Sequence, residues 1–130
     1  MSLGGGGMYV IDSIGELAVD WLETDKAHII QLDVPGLTKD DLSLQILAGN
    51  ILHITGMYND GRVIGGGLRD GIPHVIERPR GNFLRQYKLP SSTLVHYIEV
   101  FDDENGVITI TIPKKKPYVR NIPIYVMNKL

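Results

Sequence analysis

The side chains able to do chemistry are few, and their spacing works against most of it. The histidines stand at 28, 53, 74 and 96. None is at i, i+2 or i, i+4 from another, so no strand or helix face would present two imidazoles to one metal ion. Gly65-Gly66-Gly67 is the nearest approach to a phosphate loop, but no Gly-Lys-Ser/Thr follows it. It reads better as a flexible linker. Asp102-Asp103-Glu104-Asn105-Gly106 lacks the alternating oxygens and the distal Glu of a calcium loop, and reads as a solvated hairpin turn. Ser91 and Ser92 follow Pro90 without a Gly-x-Ser-x-Gly elbow, so no nucleophile is marked. Arg78, Arg80 and Arg85, with Glu77 nearby, read as interface or ion-pair residues before ligand residues. Lys114-Lys115-Lys116 reads as a solvated tether. No catalytic constellation and no cofactor or metal site emerges.

Composition narrows the classes further. The chain has 130 residues, a single-domain length that can bury roughly two-thirds of its unfolded surface. It has 13 basic and 15 acidic residues, net −2, without the cationic excess of a phosphate-tracking surface, so nucleic acid is not an expected partner. Cysteine is absent, which removes disulfides, thiolate zinc sites and cysteine nucleophiles and makes the cytoplasm the default compartment. The apolar runs are strand-sized, and no secretion signal or membrane span is read.

The elements that must carry these residues are strands. The glycine run at 4–7 in the segment Met1 to Gly7 costs too much backbone entropy to order cheaply; the segment reads as a flexible lead or an expression remnant. Val10, Ile11, Ile14, Leu17 and Ala18 sit at roughly helical spacing, so Met8 to Asp20 predicts a short amphipathic segment. Residues 1–20 are thus expected to form a flexible N-terminal arm. Trp21 to Thr24 and Ala27 to Val34 predict strands, the second placing His28, Ile30, Leu32 and Val34 on one face. Leu42, Leu44 and Ile46, the turn Ala48-Gly49-Asn50, then Leu52, Ile54 and Gly56 predict a hairpin with one buried face. Asn59 to Gly71, with glycines at 61, 65, 66, 67 and 71, breaks the alternation as a long loop around Arg62, Val63 and Ile64. Strands resume at His74 to Arg78 and Phe83 to Leu89. A second hairpin joins Tyr97 to Phe101 with Val107 to Ile112. Short strands at this spacing predict an all-β sandwich.

The C-terminal quarter adds an anomaly. Ile108, Ile110 and Ile112 alternate with Val107, Thr109 and Thr111, and pairing should stop at Pro113, which has no N–H for a ladder. Ile122-Pro123-Ile124 then lies beyond the sheet. Extended, its two isoleucines share a face about 7 Å apart while Pro123 faces away, making a two-pronged apolar plug. The chain from Pro113 to Ile122 reaches up to about 30 Å, enough for its own domain or a neighbouring subunit. The bland alternative to that plug is a terminal strand docked on its own core.

Taken in order, several landmarks carry a family likeness. They are Leu32-Asp33-Val34-Pro35-Gly36 with Asp40-Asp41-Leu42, Leu52-His53-Ile54-Thr55-Gly56, Glu77-Arg78, the run Gly81 to Pro90, and Asn105 to Pro113. From Trp21 to about Lys114 the chain resembles the α-crystallin domain of small heat shock proteins, and Ile122-Pro123-Ile124 looks like that family's C-terminal Ile-x-Ile anchor. The resemblance implies an immunoglobulin-like β-sandwich over 21–114, an extension over 115–130, and a dimer as building block. It also implies ATP-independent holdases that capture unfolding proteins. Higher homo-oligomers would form by docking each tail in a groove of another dimer, lined here by Leu42, Leu44, Ile46, Ile98 and Val100. Val63 and Ile64 would form the small strand swapped between dimer partners. Two features depart from the family pattern: the stretch ahead of Trp21 is short, and the loop is unusually rich in glycine. A p23-like co-chaperone module shares the sandwich but is monomeric with an acidic tail, whereas this tail is basic. A β-sandwich hydrolase would need a convergent polar site, and none is readable.

Overall fold

The computed structural model describes residues 7–58, 81–116 and 120–128. The chain lays down β1 (Tyr9–Ile14), β2 (Ala18–Glu23), β3 (Ala27–Asp33), β4 (Leu42–Leu47), β5 (Ile51–Tyr58), β6 (Gly81–Lys88), β7 (Glu99–Asp102) and β8 (Val107–Pro113). They form two antiparallel four-stranded sheets, ordered β1-β6-β5-β4 and β2-β3-β8-β7. The expected sandwich is present.

Its core follows from the period-2 pattern. Ile30 and Leu32 of β3, continued by Val34, face Ile108, Ile110 and Ile112 of β8 within one sheet. Leu52 and Ile54 of β5 with Phe83 and Tyr87 of β6 supply the other side. A slip of one residue in any of these strands would expose its whole apolar row, so the register is tightly specified.

The glycines of two landmarks have steric reasons. Gly56 pairs with Phe83, and a Cβ there would fall 2.2 Å from the Phe83 ring. Gly106 adopts φ +92°, and its carbonyl accepts a 2.7 Å hydrogen bond from the Val34 N–H. The Asn105-Gly106 turn is thereby joined to the Val34-Pro35-Gly36 turn. The acidic residues of that loop serve its backbone: Asp103 Oδ1 accepts from the Asn105 and Val107 N–H groups at 2.7 and 3.0 Å, and Asp102 Oδ1 accepts from Glu104 at 2.8 Å.

Three expectations change. Met8 to Asp20 does not form an amphipathic helical segment: β1 pairs with β6 and β2 with β3, and strand pairing begins at Tyr9, ahead of Trp21. The spacing that looked helical comes from a β-bulge between Val10 and Asp12, which shifts the alternation by one residue. Tyr97 belongs to a 3-10 turn, Val95–Tyr97, and β7 starts at Glu99. Pro113 is the last residue of β8, yet the next N–H still bonds across, from Lys114 to the Lys26 carbonyl at 2.8 Å.

Candidate docking surfaces

The link Gly15–Leu17 is short, so β1 and β2, the terminal strands of the two sheets, share one flank of the sandwich, and β4 and β7 share the other. The two flanks are built differently.

On the β4/β7 flank, β4 is a terminal strand of six residues, Leu-Ser-Leu-Gln-Ile-Leu, with neither charge nor proline to discourage pairing. Leu42 and Leu44 are half-buried against the core, as is Ile98 ahead of β7. Ile46 is 37% exposed and Val100 45%. The five residues expected to line a groove therefore fall on or next to β4 and β7, the terminal strands of one flank among the described residues, with their apolar side chains only partly covered. An open hollow of about 550 Å³ crosses one end of the sheet that holds β4, from Ile14 of β1 to Leu42 of β4, lined on the way by Leu84, Phe83 and Met57.

The tail that would fill the groove stands apart from it. Residues 120–128 belong to neither sheet, and Ile122 and Ile124 are 74% and 93% exposed. Val126 continues the row at 87%, so the extended face has a third apolar residue that the two-pronged reading overlooked. Alternation carried two residues further would have found it.

On the β1/β2 flank, β2 is terminal with Trp21 and Leu22 partly exposed. The polar contacts here are many. Arg85 Nη1 donates to the Ile14 and Leu84 carbonyls at 2.9 and 2.8 Å, and Nη2 to those of Gly15 and Leu17 at 3.1 and 3.2 Å. Its described hydrogen bonds go to backbone carbonyls of its own chain. It is a clamp on the β1–β2 link. Glu77, Arg78 and the expected swapped residues Arg62, Val63 and Ile64 lie outside the described residues.

A second contact cluster on this flank went unread in the sequence because its members are far apart in it. Lys114 Nζ donates to Glu23 Oε2 at 2.6 Å and to the Thr24 carbonyl at 2.7 Å. The buried His28 accepts at Nδ1 from the Trp21 indole N–H at 3.1 Å. The hydrogen bond from Lys114 holds the Glu23 carboxyl below its usual range. Burial pushes the Tyr58 and Tyr87 hydroxyls up, so both stay protonated, and Tyr58 donates to the Asp33 carbonyl at 3.3 Å.

Both the sequence and the sandwich are matched by known proteins. The model of the Hsp20/alpha crystallin family matches residues 20–126. The chain belongs to that family. It is 39% identical over 109 residues to a 17.4 kDa class I heat shock protein of Oryza sativa subsp. japonica, covering 82% of this chain and 68% of the rice protein. A 17.5 kDa class I heat shock protein of Glycine max is 38% identical over the same shares. Among solved structures, a small heat-shock protein from Xylella fastidiosa superposes with TM-score 0.66 and 28% identity over 87% of this chain and 97% of that one. HspA from Xanthomonas axonopodis gives 0.60 and 30%, over 75% and 92%. Family membership carries a chaperone role and an association with the stress response. Among the described residues no helix is long and apolar enough to cross a membrane.

Proposed function

We propose that this small heat shock protein is an ATP-independent holdase, built from dimers that assemble when each tail docks in the β4/β7 groove of another copy. The observation that carries the reading is the coexistence, among the described residues, of an apolar terminal strand without charge or proline and an apolar tail that leaves it uncovered. Burying Ile122 and Ile124 yields about 1.5 to 3 kcal/mol each, reduced by roughly 0.5 to 1.5 kcal/mol per side chain for ordering. One contact is weak. Several in a closed assembly reinforce one another through effective concentration, so subunits exchange while the assembly persists. A released tail bares Leu42, Leu44 and Ile46 for the apolar segment of an unfolding client. The cytoplasm is the compartment the cysteine-free composition suits.

Val63 and Ile64 would supply the strand that the partner's free β2 edge receives. The p23-like alternative has less support, since the family match and the basic, apolar tail both weigh against it. Replacing Ile122 and Ile124 by Ala is expected to shrink the assembly towards dimers by light scattering; unchanged size defeats the docking reading. Wild-type protein is expected to suppress a heated client's aggregation without ATP, and a monomer without that effect would restore the p23-like reading.

A further inference from the structure

Trp21, Glu23, His28 and Lys114 meet where β2, a terminal strand among the described residues, touches the root of the tail. His28 is only 2% exposed, in register with Glu23 on β2 and with Ile112 on β8. Its Nδ1 accepts the Trp21 indole proton, so the imidazole is neutral with its own proton on Nε2. Glu23 Oε1 lies 3.8 Å from that same nitrogen. Lys114 closes the cluster from beyond β8: besides its side-chain bonds to Glu23 and Thr24, its N–H bonds Lys26. The following N–H, that of Lys115, donates to the Ser92 carbonyl at 2.6 Å. The charged groups acting on His28 are therefore Glu23 from β2 and Lys114 from the β8 exit.

We propose that these residues form a proton-operated latch tying the β2 edge to the root of the C-terminal tail. With His28 neutral, the indole is pinned to the imidazole and Glu23 is free to hold Lys114. A proton added at Nδ1 turns that nitrogen from acceptor to donor. The indole N–H then loses its acceptor, and the Glu23 carboxylate becomes the imidazolium's nearest anion. One carboxylate is left between two cations, His28 and Lys114, which repel each other. Lys114 is consequently loosened from the β2–β3 turn, and Trp21 from the inner face of the sheet edge. The two elements proposed to make subunit contacts, the β2 edge and the tail, are thereby released together.

The sign of the pH dependence follows. Burial pushes the imidazole below its ordinary 6.5, Glu23 pulls it up and Lys114 pushes it down again, so folding prefers the neutral ring. The contribution is complete above about pH 6.5 and is lost as pH falls through the lowered value, because the unfolded chain takes up the proton first. Glu23, held ionised by Lys114, is still an anion in that window.

Trp21 is the single tryptophan of the chain, so its fluorescence reads the latch directly. Titrating the full-length protein from about pH 8 to about pH 5 is expected to red-shift the emission with a midpoint below 6.5, and His28→Gln, which keeps an acceptor but cannot titrate there, to abolish the shift. Over the same range the protection of the Lys114 and Lys115 amides, taken relative to the intrinsic base-catalysed exchange rate at each pH, is expected to fall at least about tenfold in the wild type. Coincident wild-type and variant titrations overturn the latch, as do tail-root amides whose protection, so corrected, ignores pH. Should His28→Gln fail to fold, exchange of the His28 ring C2 hydrogen in the wild type decides: a midpoint at or above 6.5 also overturns it. These readouts come from within one chain, so their failure leaves the holdase reading untouched.

Discussion

The two flanks of the sandwich solve the problem of a free sheet edge in opposite ways. The β1/β2 flank is pinned by side chains from elsewhere in the fold: Arg85 holds four carbonyls, His28 holds the Trp21 indole, and Lys114 holds Glu23 and Thr24. The β4/β7 flank has an uncharged edge strand with half-covered leucines and isoleucines. Natural sheets usually blunt such an edge with charge, proline or a bulge. Here β1 has the bulge and β4 has none of these. The contrast teaches that the β1/β2 flank has its shape fixed by side chains of its own chain, whereas the β4 edge is fixed by strand pairing alone and is the one proposed to take an apolar tail.

The largest effect expected from breaking this contrast is on the pinned flank. Arg85→Met removes a guanidinium whose hydrogen bonds reach carbonyls on both sides of the β1–β2 link, and bonds from charged donors are each worth roughly 1.5 to 3 kcal/mol. Partial exposure reduces the sum, and a loss of about 3 kcal/mol by urea unfolding is expected. Binding of a peptide spanning Asn121 to Asn128 should survive, because the β4/β7 flank is untouched. Lost peptide binding in a variant that still folds would show that the flanks are coupled.

The open flank is expected to answer in reverse. Ile46→Glu places a charge on a side chain already 37% exposed, so stability should change by less than about 1 kcal/mol. The same charge at the mouth of the groove must be desolvated when a tail docks. Peptide affinity should fall at least about tenfold, and assembly size with it, as checked by fluorescence anisotropy and light scattering. An unchanged affinity would move the docking site away from β4.

What was legible in the sequence divides along the same line. The central strands were readable because their inner faces are wholly buried: Ile30, Leu32 and Val34, or Ile108, Ile110 and Ile112, show period 2 without interruption. The apolar side of β4 was readable because alternation fixes which face carries Leu42, Leu44 and Ile46; that this face is a docking groove is part of the proposal. The first strands were misread because β1 is exposed along its whole length and its bulge breaks the period. The Arg85 clamp and the Lys114–Glu23 pair join residues 68 to 91 positions apart, with donors whose partners are largely backbone carbonyls. No local pattern announces such a bond, because every residue has a carbonyl. An arginine in a strand without an acidic cross-strand neighbour is the only hint.

The smallest effect concerns the hairpin that presents the open edge. The β4–β5 turn places both Ala48 and Gly49 at positive φ, 52° and 81°. A pair of left-handed residues matches the twist of a tight hairpin, and Asn-Gly is the pair that adopts it most readily. Alanine there costs roughly 1 to 2 kcal/mol, since its Cβ crowds the following carbonyl. Asparagine tolerates the conformation better, so Ala48→Asn should raise stability by about 0.5 to 1 kcal/mol, read as a higher urea midpoint at constant slope. The turn lies at the end of β4 and contributes no apolar side chain to the groove, so assembly size and peptide affinity should stay as they are. Should the stabilised hairpin bind the tail more tightly instead, the open edge owes part of its availability to strain in its own turn, and the flank would be unguarded through conformation as well as composition.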